Sequence, residues 1–342
     1  KLTLRNENDI IALGSDNMTK IDLITGILGS GKTTFLLRYA RELINRGEKI
    51  AILENDFGAV NVDMMMLQEL KGENCTIEMI VGGGDSGCHK RRFKTQLISL
   101  GMQHFDRVIV EPSGIFDMDE FFDTLYESPL DRWFEIGSIL TIIDAQMNEV
   151  MSEQMEYLLA SEAAYSGKLI LSKQGLVGEP VEKVSARVIA HLNRALALIR
   201  CDRRFSESDL FAKEWDELES SDYDEFFKAG YRGASYVKQF PSDDINSEVH
   251  YFMHVAVPQD KIEETVGAIM NDPECGRIFR IKGSLPSDDG GWLKINATSE
   301  KTEISRVAAG QGVLIAIGDN INRERIDSHL RAVNTNPKYI SI

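Results

Sequence analysis

The stretch Gly26-Ile27-Leu28-Gly29-Ser30-Gly31-Lys32-Thr33 decides the fold of this chain. It follows the apolar run Ile21-Asp22-Leu23-Ile24 and precedes residues 35–44, whose apolar positions recur at helical spacing. A glycine-rich turn between a strand and a helix points several backbone N–H groups inward, and the helix start adds partial positive charge. The stretch therefore predicts a P-loop, the cradle that holds nucleotide phosphates.

Each residue type in this loop suits a task in phosphate binding. We expect the phosphates to lie against the residues Gly26, Gly29, Ser30, Gly31, Lys32, Thr33 and Thr34. The ammonium of Lys32 would neutralise the outer phosphates and stabilise charge during phosphoryl transfer, and the hydroxyl of Thr33 would bind Mg²⁺. A chance glycine turn is the alternative, but the flanking strand and helix patterns favour the P-loop.

Length and composition indicate the number of domains and argue against some classes of function. The 342 residues are 43% hydrophobic, which is ample for a core and suits two domains better than one. The net charge of −16 argues against a broad nucleic-acid surface, which depends on Lys and Arg. The sequence contains no apolar run long enough to span a bilayer. Its four scattered cysteines and missing signal peptide predict reduced thiols and a cytoplasmic protein without a membrane partner.

Apolar runs alternate with helical patterns through the first two hundred residues. The runs at Lys49–Leu53, Val108–Val110, Ile139–Ile143 and Leu169–Leu171 predict an α/β domain with a mainly parallel, helix-covered sheet. We therefore expect an N-terminal extension (1–18), a P-loop domain (19–205), an acidic connector (206–246) and a smaller α+β carboxyl-terminal domain (247–335). The last of these is predicted from a strand at Val249–Val257, a helix at Asp260–Met270 and a final helix from Asn322.

Two acidic positions follow predicted strands near the P-loop. Glu111 ends the strand before Pro112-Ser113-Gly114, and ligands of open α/β sheets bind at the carboxyl ends of strands. We expect Glu111 to hold a Mg²⁺-bound water or orient the attacking water, and the Gly114 N–H to contact the γ-phosphate. Asp56, in Glu54-Asn55-Asp56-Phe57-Gly58, is a candidate for the Mg²⁺ shell. Ordinary turns rich in polar residues are the alternative interpretation of both segments.

Together, the P-loop, the 54–58 segment with Asn61-Val62-Asp63, Glu111-Pro112-Ser113-Gly114 and Ile143-Asp144-Ala145 resemble the CobW family of P-loop GTPases, grouped with HypB and UreG. The region Val249–Leu330, with Arg280-Ile281-Lys282-Gly283, is similar to the CobW carboxyl-terminal domain. The resemblance implies GTP hydrolysis coupled to delivery of zinc or cobalt to a metalloprotein client.

The chain departs from the family at the metal motif. The family has Cys-x-Cys-Cys after a glycine pair, whereas this chain has Gly83-Gly84-Asp85-Ser86-Gly87-Cys88, followed by His89. A mixed site for transferable zinc, built from Glu54, Asp85, Cys88 and His89, is one hypothesis. Loss of metal handling, with Cys88 a lone thiol, is the other.

A second departure concerns the nucleotide base. The resemblance implies Asn-Lys-x-Asp, whose aspartate accepts hydrogen bonds from guanine, but this chain has Ser172-Lys173-Gln174-Gly175. We expect Ser172 and Lys173 still to line the base site, and guanine selectivity to be weakened. Two other functions stay open: a nucleotide-dependent regulatory or scaffold protein without transferable metal, and a small-molecule kinase, which the 111–114 segment fits poorly.

Overall fold

The structure, a computed structural model, describes residues 18–56, 66–81, 86–112, 118–147, 150–238, 248–298, 302–307 and 310–341. The described residues divide into two compact units, the first within residues 18–238 and the second within residues 248–341. The first unit holds a parallel sheet and the second an antiparallel one.

The sheet of the first unit has the order β3-β2-β4-β1-β5-β6-β7, and every pair of neighbouring strands is parallel. Its strands are β1 (Thr19–Thr25), β2 (Ile50–Asp56), β3 (Cys75–Val81), β4 (Arg107–Pro112), β5 (Phe134–Asp144), β6 (Lys168–Ser172) and β7 (Leu210–Phe211). The helices of this unit are α1 (Lys32–Asn45), α2 (Ser86–Gly101), α3 (Met118–Leu125), α4 (Leu130–Trp133), α5 (Glu153–Ala164), α6 (Val181–Leu198) and α7 (Ser220–Phe227). This architecture confirms the predicted P-loop-type α/β fold.

The central strands are mainly apolar in their middle because helices cover the sheet. The side chains of Ile21, Leu23 and Ile24 in β1 are fully buried, as are those of Val108–Val110 in β4. Strands buried on both faces are continuous hydrophobic runs rather than alternating patterns. The order places β1 between β4 and β5 at the middle of the sheet, so the loop after β1 lies at a central point of the carboxyl edge.

A buried polar network links β1, β4, β5 and α1 within the first unit. The Asp22 carboxylate accepts hydrogen bonds from Arg107 Nη1 at 2.6 Å, Tyr39 OH at 2.7 Å and the Ser138 N–H at 2.7 Å. Burial, followed by the Asp22 charge, raises the pKa of Tyr39 well above its usual value. Because its oxygens are occupied by partners from different elements, the carboxylate ties β1, α1, β4 and β5 together.

The acidic segment after residue 206 is structured. The sequence predicts a connector here, whereas residues 206–238 contribute β7, a 3₁₀ turn (Trp215–Glu217) and α7 to the first unit. Its aromatic side chains explain the difference, because Phe226 is fully buried and packs edge-on against Phe35 at 5.5 Å. The acidic residues lie on the outer face, where Asp224 forms an ion pair with Arg46.

The second unit is α+β, as expected. Its antiparallel sheet has the order β11-β10-β9-β12-β8-β13. The strands are β8 (Glu248–Met253), β9 (Arg277–Pro286), β10 (Trp292–Thr298), β11 (Thr302–Val307), β12 (Val313–Asp319) and β13 (Ile340–Ser341), and the helices are α8 (Ile262–Asn271) and α9 (Arg323–Val333). The helices pack their apolar faces on the sheet, with Ile262, Val266, Ile326 and Leu330 buried in its core. Asn322 caps α9 by accepting from the Arg325 N–H at 3.1 Å.

None of the described helices combines the length and the apolar character needed to cross a bilayer.

Candidate nucleotide site

The loop between β1 and α1 has the backbone that phosphate binding requires. Gly26, Gly29 and Gly31 have φ values of 139°, 86° and 101°, a region that side chains with a β-carbon rarely adopt. At Gly26 there is also no room, since an added β-carbon would lie 2.4 Å from the carbonyl oxygen of Ile142. The glycines are thus needed for the turn, and α1 begins at Lys32 immediately after it. The structure therefore contains the predicted P-loop.

Lys32 and Thr33 are buried at the start of α1. Lys32 Nζ donates to the Gly26 carbonyl oxygen at 2.7 Å, which holds the ammonium across the mouth of the loop. Thr33 Oγ1 donates to Glu111 Oε1 at 2.7 Å. The structure thus brings together two residues that the sequence assigned to the same Mg²⁺ site from positions far apart in the chain.

Glu54 joins this pair from the neighbouring strand. It is the register partner of Glu111 in the parallel pairing of β2 with β4, and only 3% of Glu54 and 6% of Glu111 is exposed. Two buried carboxylates next to a threonine hydroxyl give a set of oxygen donors of the kind that Mg²⁺ prefers. The donor set is therefore compatible with a magnesium ion beside the P-loop.

Several predicted site residues lie outside what the structure describes. Gly114 and Asp85 belong to segments without a described position, and the side chains of Asp56, Cys88 and His89 are not described. The backbone places Asp56 at the carboxyl end of β2, and Cys88 and His89 in the first turns of α2. Their roles remain predictions.

The end of β6 and the residue after it form hydrogen bonds with the P-loop. Ser172 Oγ donates to the Ser30 carbonyl oxygen at 2.6 Å, and Lys173 Nζ donates to the Gly29 carbonyl oxygen at 2.8 Å and to Asp144 Oδ2 at 2.6 Å. The structure thus places Ser172 and Lys173 beside the P-loop, and their role in binding a nucleotide base stays a prediction.

Sequence reasoning missed two residues at the site. Trp215 lies against the P-loop, where a β-carbon on Gly31 would be 3.2 Å from its ring. Glu162, on α5, is fully buried, and burial raises the pKa of its carboxyl group to about 7, although the Lys32 ammonium, Thr25 and Gly26 act to lower it. Neither residue belongs to a local motif, so only the tertiary structure reveals them.

A cluster of possible metal ligands lies in the second unit. Ligand atoms of Asp272, Cys275 and His329 are within 4.8 Å of one another. However, Asp272 Oδ2 already accepts from His329 Nε2 and from Arg325 Nε, both at 2.7 Å, and Asp272 Oδ1 caps the Glu274 N–H at 2.9 Å. The Arg325 guanidinium already neutralises the Asp272 carboxylate. We therefore interpret the cluster as a contact between α9 and the 272–275 turn.

The fold and this site define a P-loop protein of the nucleotide-binding α/β class. The description "CobW/HypB/UreG, nucleotide-binding domain" matches residues 20–200, more than half of the sequence, and the chain belongs to this family.

Relatives in this family carry zinc-related names. Zinc chaperone YjiA of Escherichia coli (strain K12) is 30% identical over 190 residues, which are 52% of this chain and 55% of that protein. Zinc-regulated GTPase metalloprotein activator 1 of Schizosaccharomyces pombe (strain 972 / ATCC 24843) is 22% identical over 335 residues, 88% of this chain and 81% of that protein. The crystal structure of Zn(II)-bound YjiA GTPase from E. coli aligns with 94% of this chain and all of that chain, at 18% identity and a TM-score of 0.35. The sequence match to zinc chaperone YjiA covers little more than half of either protein.

Proposed function

We propose that this protein binds and hydrolyses GTP and uses the nucleotide state to hold and release a divalent metal, zinc or cobalt, for a client metalloprotein. The observation that carries the nucleotide part is the hydrogen bond from Thr33 in the P-loop to Glu111 on β4. It joins a phosphate cradle to a strand-end carboxylate in one buried site. Membership of the CobW/HypB/UreG family and the zinc-chaperone relatives support the metal part.

In hydrolysis, a water oxygen attacks the γ-phosphorus and the bond from that phosphorus to the bridging oxygen breaks, leaving GDP and inorganic phosphate. The N–H groups of residues 29–34 orient the phosphates, and Lys32 neutralises charge that develops on the oxygens. Thr33 and Glu111, with Asp56 as a further candidate, would hold Mg²⁺, which supplies positive charge to the phosphate oxygens when bound. Gly114 would contact the γ-phosphate.

The Glu111 carboxylate has a second task in this proposal. It accepts a hydrogen bond from the Thr33 hydroxyl and so fixes the direction in which the hydroxyl lone pairs point. Because it is buried beside Glu54, it also places negative charge where a cation is needed. Most of the rate enhancement would come from such positioning and electrostatics.

The metal cargo would bind near the carboxyl end of β2 and the start of α2. Glu54 is the one of the four candidate ligands with a described side chain, and Asp85, Cys88 and His89 are the others. Since Glu54 and Glu111 are register partners, a change at the γ-phosphate would reach a cargo ligand through adjacent strands.

Zinc titration of the metal-stripped protein tests the coupling, with GTP in one series and GDP in the other. We expect tight zinc binding whose affinity differs between the two nucleotides. The Lys32→Ala variant serves as control, and its zinc affinity should no longer respond to nucleotide. Equal zinc affinity in both series, or none, would contradict metal coupling and favour a regulatory switch without transferable metal.

A further inference from the structure

The base end of the nucleotide site contains a carboxylate that the local sequence motif lacks. Gly175 stands where an aspartate would follow Lys173 by two positions. A β-carbon built on Gly175 would lie 2.9 Å from Glu214 Oε1, 3.5 Å from Glu214 Cδ and 3.8 Å from Glu214 Oε2. The Glu214 carboxylate therefore fills the space that a side chain at position 175 would occupy.

Trp215, the residue after Glu214, holds the loop that carries Glu214 against the nucleotide site. Trp215 Nε1 donates to the Leu171 carbonyl oxygen of β6 at 3.0 Å, and the Trp215 carbonyl oxygen accepts from Arg38 Nη1 of α1 at 2.9 Å. The indole also packs against Phe35, with ring centroids 5.4 Å apart. The backbone at position 214 is thus held between the strand that precedes the base site and the helix that follows the P-loop.

The charge and exposure of Glu214 suit contact with a base. The side chain is exposed, as is Gly175, so a ligand can reach the carboxylate from solvent. An ionised carboxylate is acceptor-only. Guanine presents two adjacent donors, the N1–H and the 2-amino group, whereas adenine presents an unprotonated ring nitrogen at the corresponding place. A carboxylate there binds guanine and repels adenine.

We propose that Glu214 is the guanine-selecting residue of this protein, and that it supplies from the loop after β7 the carboxylate missing at Gly175. Guanine selectivity is then retained, in contrast to the expectation from residues 172–175 alone. The proposal rests on the proposed nucleotide function and adds to it the residue that selects the base.

Geometry also explains why the two carboxylates do not occur together here. An aspartate at position 175 would place its β-carbon 2.9 Å from Glu214 Oε1, which leaves no room for both side chains, and two neighbouring carboxylates disfavour joint ionisation. Gly175 has no positive φ, so its backbone accepts a side chain once Glu214 has been shortened. The two positions are alternatives for one function, which makes a rescue experiment possible.

Competition binding tests the proposal, with GDP, ADP and XDP displacing a fluorescent GDP from the wild-type protein and from Glu214→Ala, Glu214→Gln and Glu214→Ala/Gly175→Asp. In Glu214→Ala we expect GDP affinity to fall about ten- to hundredfold while ADP affinity does not fall. Glu214→Gln should bind XDP better, because its amide donates to the 2-oxo group of xanthine. The double variant should regain GDP preference. Glu217→Ala, an exposed acid in the same turn, is the matched control and should behave as wild type.

The outcomes separate this proposal from the one on which it rests. Unchanged GDP and ADP affinities in Glu214→Ala would overturn the role of Glu214 while leaving the nucleotide site intact. A wild-type protein that binds no nucleotide would overturn the proposed function and this inference together. Retained ADP binding shows that a variant is folded.

Discussion

Thr33 Oγ1 donates to Glu111 Oε1 at 2.7 Å, between residues 78 positions apart in sequence. The bond joins the first turn of α1 to the carboxyl end of β4, next to the β1 strand that carries the P-loop. Only the fold brings these two residues together, because they lie far apart in the sequence. Their contact brings a buried carboxylate and a threonine hydroxyl together beside the glycine-rich loop, and the proposed phosphate and Mg²⁺ site depends on this arrangement.

Loss of either member of this pair should slow hydrolysis more than it weakens binding. We expect Thr33→Ala and Glu111→Gln each to lower kcat for GTP by about a hundredfold or more, a typical effect of removing one electrostatic contact to the transition state. Phosphate release under saturating GTP and Mg²⁺ measures it. Thr33→Ser keeps the hydroxyl and should retain most of the activity. A Thr33→Ala variant as fast as Thr33→Ser would contradict the assignment.

The Asp22–Arg107 pair should be worth far more to stability than an exposed pair in the same unit. Asp22→Ala leaves the buried guanidinium with its longer contact to Glu48, at 3.4 Å, and breaking a buried ion pair typically costs about 3–5 kcal/mol of unfolding free energy. Arg41→Ala breaks the exposed pair with Glu69 and should cost less than about 1 kcal/mol. Urea denaturation measures both. Similar losses for the two variants would show that the network does not hold the strands together.

Glu162 should make stability depend on pH. Its pKa rises from 4.5 to about 7 in the folded protein, so between these values the folded state holds a proton that the unfolded state has lost. The free energy of unfolding therefore falls by about 3 kcal/mol in total as the pH rises from 4.5 to 7. Above pH 7 the contribution of this group is constant. Glu162→Gln should be increasingly more stable than wild type over this interval.

Urea unfolding at a series of pH values checks this prediction. Glu153→Gln, an exposed position on the same helix, is the control and should follow the wild-type curve. A difference between Glu162→Gln and wild type that stays constant from pH 4.5 to pH 7 would show that Glu162 does not titrate in this range.

Cys88 provides a test of the cargo site. If the mixed site exists, Cys88→Ala removes its one thiolate, and zinc affinity should fall by at least about tenfold, since thiolates are preferred zinc ligands. Competition with a colorimetric zinc chelator measures the affinity. Cys201→Ala, which removes a buried cysteine elsewhere in the unit, should leave zinc affinity unchanged. Equal affinities in the two variants would exclude Cys88 as a ligand.

The central strands could be predicted because the fold buries them on both faces. The runs at Val108 and Leu169 are continuous hydrophobic stretches, the pattern of a parallel sheet interior, and the run from Ile21 is interrupted only by the buried Asp22. β3 was missed because it is an edge strand, in which buried Cys75, Ile77 and Ile80 are mixed with half-buried positions. The strand and helix within residues 206–238 were not predicted, because the acidic residues of this segment outnumber the aromatic side chains that pack in the first unit.

The residues of the candidate site also fall into two groups: those that local motifs predict, and those that only the fold brings to the site. The P-loop and Glu111 lie in local motifs, so their chemistry could be inferred from residue types and spacing. Glu214 and Trp215 reach the site from about forty residues beyond Ser172, because β7 pairs with β6 and returns the chain to the carboxyl edge. Glu162 was missed because nothing in the sequence of α5 distinguishes a fully buried glutamate from an exposed one.

The most direct test of the central claim is GTP binding and phosphate release by the wild-type protein and by Lys32→Ala, with Lys71→Ala as an exposed control in the same unit. We predict that wild type and Lys71→Ala bind GTP with the same affinity and release phosphate at the same rate. In Lys32→Ala, the GTP affinity, the rate of phosphate release or both should fall by about a hundredfold or more, because the ammonium at the P-loop mouth is gone. Phosphate release by Lys32→Ala at the wild-type rate would contradict the assignment of this loop as the catalytic phosphate site.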